Sequence, residues 1–196
     1  MAETRRIIGL TGGIATGKST VTDYLQAHYP LFVLDADILA REAVQPRSPI
    51  SNQIFQHFGT AIQTPAGTLD RVKLAQIIFN QPAERQWLEA QIHPYVRQHF
   101  EIALAQKRDR ILVFSIPLLF EAQMTELVTE IWVVSCPLAM QISRLQQRNQ
   151  LSREQAIARI ESQMPLADKI ALADRVIENQ GTLEELYLQV NRAIAI

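Results

Sequence analysis

The sequence predicts an α/β protein in which a doubly wound parallel sheet carries two helical insertions. Short apolar segments alternate with helical patterns, and the central segments are apolar throughout, which is typical of strands buried on both faces of a parallel sheet. Two stretches, 38–107 and 137–173, contain helical patterns and no strand, and the first is far longer than a crossover needs. The five predicted strands are Arg6–Leu10, Leu31–Asp35, Arg110–Ile116, Glu130–Ser135 and Arg175–Ile177.

Capping residues and prolines mark several helix starts. Ser152–Gln155 and Thr182–Glu185 are capping boxes, in which a hydroxyl and an acid or amide satisfy each other's backbone donors. Proline is favoured at the first helical position, which predicts helices that begin at Pro82 and Pro137. The last helix has an apolar stripe at helical spacing, formed by Leu183, Leu186, Val190 and Ile194.

Composition narrows the class of protein. With 196 residues, 47% apolar and 20% charged, the chain suits one α/β domain with a sizeable core. Its 19 basic and 20 acidic residues include no basic block, so nucleic acid is not an expected partner. The one cysteine, Cys136, suits a reducing compartment. A polar start and the lack of a long apolar run argue against a signal peptide and a membrane span, so we expect a cytoplasmic protein.

A phosphate-binding loop lies between the first predicted strand and a helix predicted from Ser19 to Gln26. Gly12, Gly17, Lys18 and Ser19 fit the pattern G-x-x-x-x-G-K-[ST]. In such a loop the backbone N–H groups and the helix N-terminus bind phosphate, the lysine reaches the β- and γ-phosphates, and the serine hydroxyl ligates Mg²⁺. The chain is therefore expected to bind a nucleoside triphosphate, through Gly12, Gly13, Ala15, Thr16, Gly17, Lys18, Ser19 and Thr20.

Two carboxylates, Asp35 and Asp37, follow the second predicted strand. Residues two apart on a strand face the same way, and ligands of open α/β sheets bind at the carboxyl ends of the strands. Asp37 is then placed to accept a proton from an attacking hydroxyl. The alternative is that Asp37 caps a helix over Ile38–Val44, with Arg41 as its i,i+4 partner. The neighbouring phosphate loop favours the catalytic interpretation.

Arg144 and Arg148 are four residues apart on the helix after the fourth strand, so they share a face and suit a clamp on phosphate oxygens. The alternative is a solvated basic face.

His93 and Arg97 are also four residues apart, in a segment that is expected to open a helix. A lone histidine in such a place usually has a structural role.

An acid, a cysteine and two tryptophans give weaker indications of function than the residues above. Glu121 follows the third strand and lies either in the cleft or on the surface. Cys136 is expected to pack rather than to act as a nucleophile, because no base is assignable to it. Trp87 and Trp132 are expected in the core.

Several short sequence blocks, spread over nearly the whole chain, resemble those of the dephospho-CoA kinase family and occur in the same order. They are residues 9–14 leading into 17–20, Asp35-Ala-Asp37 with Ala40-Arg41, His93-Pro94 with Arg97, residues 117–121, Arg144, Arg148, Gln163 and residues 173–181. The resemblance implies strand order 2-3-1-4-5, a core of residues 1–37, 108–136 and 174–196, a substrate domain of residues 38–107 and a lid of residues 137–173.

The resemblance also implies an activity, the Mg²⁺-dependent transfer of phosphate from ATP to the ribose 3′-hydroxyl of dephospho-CoA. We expect a monomer or weak homo-oligomer. It implies that Asp37 lies at the reacting hydroxyl, that Arg144 and Arg148 come from the lid, and that Asn179 borders the adenine. The residues implied to face the acceptor are Arg41, His93 and Arg97. Another small-molecule or nucleoside monophosphate kinase is the alternative, whereas a GTP switch is disfavoured because neither Asn-Lys-x-Asp nor Asp-x-x-Gly occurs.

The chain departs from the family pattern at two places. Ala15-Thr16 stands where Gly-Ser is frequent, and we expect a working loop unless residue 15 needs a positive φ. Ser115 stands where many relatives have an acid, which weakens the expectation of a metal-associated carboxylate on the third strand. Asp35 is the substitute, assisting Mg²⁺ through water.

Overall fold

The computed structural model describes residues 5–195 and contains a five-stranded parallel sheet in the order β2-β3-β1-β4-β5. The strands are β1 (Arg6–Gly12), β2 (Phe32–Asp35), β3 (Ile111–Ser115), β4 (Glu130–Ser135) and β5 (Arg175–Glu178). The helices are α1 (Lys18–His28), α2 (Ala36–Ala43), α3 (Pro49–Phe58), α4 (Arg71–Asn80), α5 (Pro82–Gln106), α6 (Leu138–Asn149), α7 (Arg153–Glu161), α8 (Leu166–Ala171) and α9 (Leu183–Ile194).

The sheet confirms the predicted fold class and strand order. All five predicted strands are present, and β1 extends to Gly12 because Thr11 and Gly12 pair with Val133 and Val134 of β4. Central β1 is flanked by β3 and β4, so its carboxyl end emerges between two neighbouring strands. A core of apolar side chains covers the sheet beneath α1 and α9 and includes Ile8, Leu10, Leu25, Val113, Trp132, Val134, Leu186 and Val190.

Both predicted capping boxes are present, at the starts of α7 and α9. Pro82 is the first residue of α5, as predicted, whereas Pro137 is the N-cap of α6 and lies one position earlier than expected. The helix after the phosphate loop runs over Lys18–His28 and is longer than the predicted Ser19–Gln26 segment.

The described chain forms two compact units. One comprises the residues up to Asp35 together with those from Lys107 onwards, and the other is Ala36–Gln106. The second unit contains α2 to α5 and a short 3₁₀ turn at Gly59–Ile62, and it has its own core around Ile54, Ile62 and Leu74.

The segment around His93 does not open a helix, which corrects the sequence expectation. It lies inside the 25-residue helix α5, with Pro94 in the helix interior. A proline there removes one backbone hydrogen bond and usually ends or kinks the helix. The helix continues because side chains on both sides of Pro94, Leu88 and Tyr95, pack on the same core of the second unit.

Candidate active site

The loop between β1 and α1 has the geometry of a phosphate-binding loop. Gly17 is the N-cap of α1 with φ 99°, a conformation that favours glycine. A Cβ on Gly17 would collide with the Asn179 side-chain amide, and a Cβ on Gly12 would lie 2.5 Å from the carbonyl oxygen of Val134. Contacts therefore require glycine at both positions, and the backbone conformation requires it at Gly17 as well.

Ala15 adopts φ 61°, so the residue that replaces the frequent glycine does lie in the left-handed region. A non-glycine residue there costs about 1–2 kcal/mol. The alanine methyl contributes to packing, since Ala15 and Ile14 lie against the cluster of Ile142, Leu145 and Ala156. Residue 15 therefore does need a positive φ, and an alanine adopts it at this position of the loop.

We expect Ala15→Gly to leave the free energy of unfolding unchanged or to raise it by about 0.5 kcal/mol, because relief of backbone strain offsets the lost methyl packing and the larger chain entropy of glycine. The matched control is Ala158→Gly, at an exposed position inside α7, which should lower the free energy of unfolding by about 0.5–1 kcal/mol. Urea unfolding measures both. Equal losses in the two variants would show that residue 15 is not strained.

Side chains from outside the loop bind its backbone carbonyls. Gln141 Nε2 donates to the oxygen of Ile14 at 2.7 Å, and Asn179 Nδ2 donates to that of Thr16 at 2.8 Å. Arg144 Nη1 donates to the oxygens of Ala15 and Thr16, each at 3.2 Å. These donors neutralise carbonyl dipoles that would otherwise repel an anion near the loop.

Gln163 binds a backbone N–H group of the same loop, since its Oε1 accepts from the N–H of Ile14 at 2.9 Å. Gln141 is 2% exposed, so its amide is committed to this contact. Sequence reasoning missed Gln141, because a glutamine in the first turn of a helix carries no signal of burial.

Arg144 and Arg148 lie on α6 as predicted, but their surroundings differ. Arg144 is partly buried against the loop and also donates to the carbonyl oxygen of Asn179 at 3.3 Å. Arg148 is exposed, and its Nε donates to Asn149 Oδ1 at 3.0 Å. The structure therefore brings Arg144, and not Arg148, to the phosphate loop.

Lys18 lies in a compact polar cluster at the carboxyl ends of β2 and β3. Its Nζ donates to Ser115 Oγ at 2.5 Å, and Ser115 Oγ donates to Asp35 Oδ2 at 2.6 Å. Lys18 Nζ also lies 3.4 Å from Asp35 Oδ2. The strand register places Asp35 beside Ser115, so the carboxylate of this cluster comes from β2 while β3 contributes a hydroxyl.

The two aspartates do not share a strand face, which corrects the sequence prediction. β2 ends at Asp35 and α2 begins at Ala36, so Asp37 lies in the first turn of a helix. The alternative, in which Asp37 caps a helix over 38–44, is also wrong for the same reason. Asp37 and Arg41 remain one helical turn apart on α2.

The other residues expected at the acceptor belong to the same unit as Asp37. His93 and Arg97 lie on α5, which packs against α2, the helix that carries Arg41. Arg97 Nε contacts Glu101 Oε1 at 3.1 Å along α5. His93 is half-buried, and Arg41 is exposed.

Glu121 takes part in an ion pair that sequence reasoning did not anticipate. Its Oε1 lies 2.8 Å from the Nζ of Lys169, whose side chain is fully buried. Lys169 also donates to the carbonyl oxygen of Pro117, which accepts a second bond from Thr11 Oγ1 of β1. Because Glu121 also accepts from the N–H of Met164, this pair connects the segment that carries Gln163 to the sheet.

Removing the Glu121 charge should leave the Lys169 ammonium buried without its counter-ion. We expect Glu121→Gln to lower the free energy of unfolding by about 2–4 kcal/mol, and Lys169→Met to cost less, because Glu121 keeps partial access to water. The matched control is Glu89→Gln, which breaks the exposed Arg85–Glu89 pair and should cost at most about 1 kcal/mol. Urea unfolding would contradict this ranking if Glu121→Gln and Glu89→Gln lost equal stability.

Cys136 and the two tryptophans lie in packed surroundings. Cys136 is buried, and burial raises the pKa of its thiol, an effect that outweighs the opposite influence of Arg144. Trp132 is fully buried in the sheet core, as predicted. Trp87 is only partly buried, packing on the core of the second unit and stacking on His57.

A parallel sheet in the order 2-3-1-4-5, with a phosphate loop and its lysine after the central strand, defines a P-loop kinase. Shikimate kinase from Acinetobacter baumannii shares this fold, with a TM-score of 0.54 and 17% identity over 98% of this chain and 94% of that one. The chain matches the dephospho-CoA kinase family model over residues 6–185. It belongs to the dephospho-CoA kinase family and is a phosphotransferase.

Individual relatives support this assignment along the whole chain. Dephospho-CoA kinase of Synechocystis sp. is 54% identical over 96% of this chain and 94% of its own length. The enzyme of Trichormus variabilis is 54% identical over 97% of each chain. The solved dephospho-CoA kinase from Campylobacter jejuni has a TM-score of 0.71 and 26% identity over 98% of this chain and 96% of that one.

Proposed function

We propose that this chain transfers the γ-phosphoryl group of ATP to the ribose 3′-hydroxyl of dephospho-CoA, giving CoA and ADP. The observation that carries the proposal is the loop between β1 and α1, with glycines at 12 and 17 and Lys18 at the start of α1. Family membership supports the acceptor.

ATP binding is assigned to the loop residues Gly12, Gly13 and Ala15 to Thr20. The loop carbonyls of Ile14, Ala15 and Thr16 bind side-chain donors. The N–H of Ile14 binds Gln163 and that of Thr16 binds Gly13, so we propose that the other loop N–H groups bind phosphate oxygens. Asn179 holds the loop through Thr16, and we propose that its segment borders the adenine.

Mg²⁺ fits the donors present, since Ser19 and Asp35 offer the hard oxygens that this ion prefers, and it binds through few protein ligands and several waters. When bound, it neutralises charge on the β- and γ-phosphates. Among residues 5–195 no cluster of three or more His, Cys, Asp or Glu side chains forms a metal site. The proposed Mg²⁺ site needs no such cluster, because it uses the hydroxyl of Ser19 and, through water, the carboxylate of Asp35.

Lys18 is proposed to offset charge on the β- and γ-phosphates, and Asp37 to orient the acceptor hydroxyl and take its proton late. An aspartate with an ordinary pKa of about 4 is too weak a base to remove that proton early. In a loose phosphoryl-transfer transition state, positioning matters more than base strength. Arg41, His93 and Arg97 of the same unit are proposed to bind the acceptor.

These assignments divide the chain into a nucleotide-binding part, an acceptor-binding part and a lid. The compact units end two residues earlier than the boundary expected at residue 37, so we propose residues up to Asp35, 107–136 and 174–196 as the nucleotide core and Ala36–Gln106 as the acceptor-binding unit. Residues 137–173 are proposed to form a lid. Arg144 and Arg148 of that lid are proposed to bind the transferring phosphoryl group and help exclude water. Arg144 already contacts the phosphate loop, whereas Arg148 is exposed.

We also propose the cellular compartment and the oligomeric state in which the protein acts. A composition without a basic block gives no reason to propose a nucleic-acid partner. No helix within residues 5–195 is long and apolar enough to cross a membrane. We propose a cytoplasmic monomer or weak homo-oligomer, with the one cysteine in keeping with a reducing compartment.

An ADP-release assay with dephospho-CoA, adenosine 5′-monophosphate and shikimate as acceptors tests the proposed function. We expect rapid turnover with dephospho-CoA and a product whose new phosphate is on the 3′-oxygen by NMR. ATP should be used in preference to GTP. Faster turnover with either of the other acceptors, or phosphate at another position, would contradict the proposal.

A further inference from the structure

The Gln163 side chain occupies a backbone donor of the phosphate loop. Its Oε1 accepts from the N–H of Ile14 at 2.9 Å. A backbone N–H can only donate, so this contact requires the oxygen of the amide to face the loop and fixes the orientation of the group. Gln163 is half-buried and lies between the end of α7 and the start of α8.

The amide nitrogen of Gln163 has two N–H donors that no other group uses. Within residues 5–195, the contact with Ile14 is the only hydrogen bond of this side chain. The nitrogen of an amide lies about 2.2 Å from its oxygen, so Nε2 is within about 5 Å of the Ile14 nitrogen. Two unpaired donors therefore lie beside the phosphate loop.

Both residues of this contact are positioned by neighbours. Gln141 Nε2 donates to the carbonyl oxygen of Ile14 at 2.7 Å, which holds the loop residue. Leu166, three residues after Gln163, lies against the same loop, because a Cβ built on Gly13 would be 3.7 Å from Leu166 Cδ1.

The segment that carries Gln163 is also anchored to the sheet. The N–H of Met164 donates to Glu121 Oε1 at 3.0 Å, and the same oxygen is paired with the fully buried Lys169. Lys169 in turn donates to the carbonyl oxygen of Pro117 after β3. The amide of Gln163 is therefore preorganised, which is the property that makes a donor effective in a transition state.

We propose that Gln163 is a catalytic residue whose amide donates a hydrogen bond to an oxygen of the γ-phosphoryl group during transfer. The inference deepens the proposed function and rests on it. Backbone N–H groups of a phosphate loop hold the α- and β-phosphates. A donor that extends one amide group beyond the loop meets the next group of the triphosphate, which is the γ-phosphoryl group.

The chemistry of the transfer suits such a donor. In a loose transition state the negative charge spreads over the three equatorial oxygens of the transferring group. The Ile14 N–H cannot reach them while Gln163 accepts from it, but the amide replaces this donor with two of its own. An uncharged amide also releases ADP more readily than a further fixed cation would.

Gln163→Glu separates donation from support of the loop. The glutamate side chain has nearly the same shape, and its carboxylate still accepts from the Ile14 N–H, but it has no N–H to donate. We expect kcat to fall about tenfold to a hundredfold, as loss of a hydrogen bond to a charged group does. The affinity for a non-hydrolysable ATP analogue should fall about tenfold more than that for ADP.

Steady-state kinetics and calorimetry with the two nucleotides measure these effects, and retained ADP binding shows that the variant is folded. The matched control is Gln26→Glu, which adds the same charge at an exposed position of α1 and should change neither kcat nor either affinity. An unchanged kcat, or equal losses of affinity for ADP and for the ATP analogue, would overturn the proposal.

NMR of the side-chain amides gives a readout that does not depend on turnover. The two Nε2 protons of Gln163, assigned by their loss in Gln163→Glu, should shift downfield with the ATP analogue and not with ADP. The same shift with both nucleotides, or with neither, would contradict the contact. If the wild type failed to phosphorylate dephospho-CoA, the proposed acceptor would be wrong, while this spectrum would still decide whether Gln163 contacts the γ-phosphate.

Discussion

Lys18→Ala is expected to lower turnover by about a thousandfold or more, because a fixed positive charge at a transferring phosphoryl group contributes on that scale. The Lys18 ammonium is bound by Ser115 and Asp35, so its charge is held at the carboxyl ends of β2 and β3. Single-turnover kinetics with saturating ATP and dephospho-CoA would measure the loss of the transfer step itself.

Two controls separate catalysis from folding in this variant. The Ser115–Asp35 bond does not involve Lys18 and should persist, so thermal denaturation should show a folded protein. Lys73→Ala removes a lysine that is 54% exposed on α4 and should leave turnover unchanged. Transfer rates within a few-fold of the wild type in Lys18→Ala would disprove the proposed charge stabilisation.

Asp37→Asn is expected to lower kcat by about 10²–10⁴-fold, the range in which a positioned general base contributes. Asparagine keeps the size of the side chain but cannot accept the hydroxyl proton. The affinity for ATP should change little, because the phosphate loop and the Lys18 cluster belong to the other compact unit. Steady-state rates and equilibrium ATP binding measure the two effects separately.

Asp23→Asn is the matched control for that variant, since Asp23 is an exposed aspartate on α1. It should retain wild-type kcat and KM. Unchanged steady-state rates in Asp37→Asn would show that Asp37 takes no part in the proton transfer. Weakened ATP binding with unchanged kcat would assign it to the nucleotide instead of the acceptor.

Local patterns predicted most elements of this fold, and they failed where the chain changes structure abruptly. The Asp35-Ala-Asp37 pattern predicts the end of a strand, but the strand ends at Asp35 and a helix begins at the next residue. The pattern around Pro94 predicts a helix start, but tertiary packing on both sides keeps Pro94 inside α5. Both errors concern boundaries, which local propensity specifies weakly.

Local residue patterns are enough to predict the parallel sheet, the phosphate loop and the capped helices, because these depend on periodicity, glycine spacing and contacts within one turn. The tertiary structure places Ser115 beside Lys18 and Asp35 and buries Lys169 beside Glu121. It also revealed the positive φ of Ala15. These features depend on strand register and on contacts between residues far apart in the chain, which no local pattern encodes.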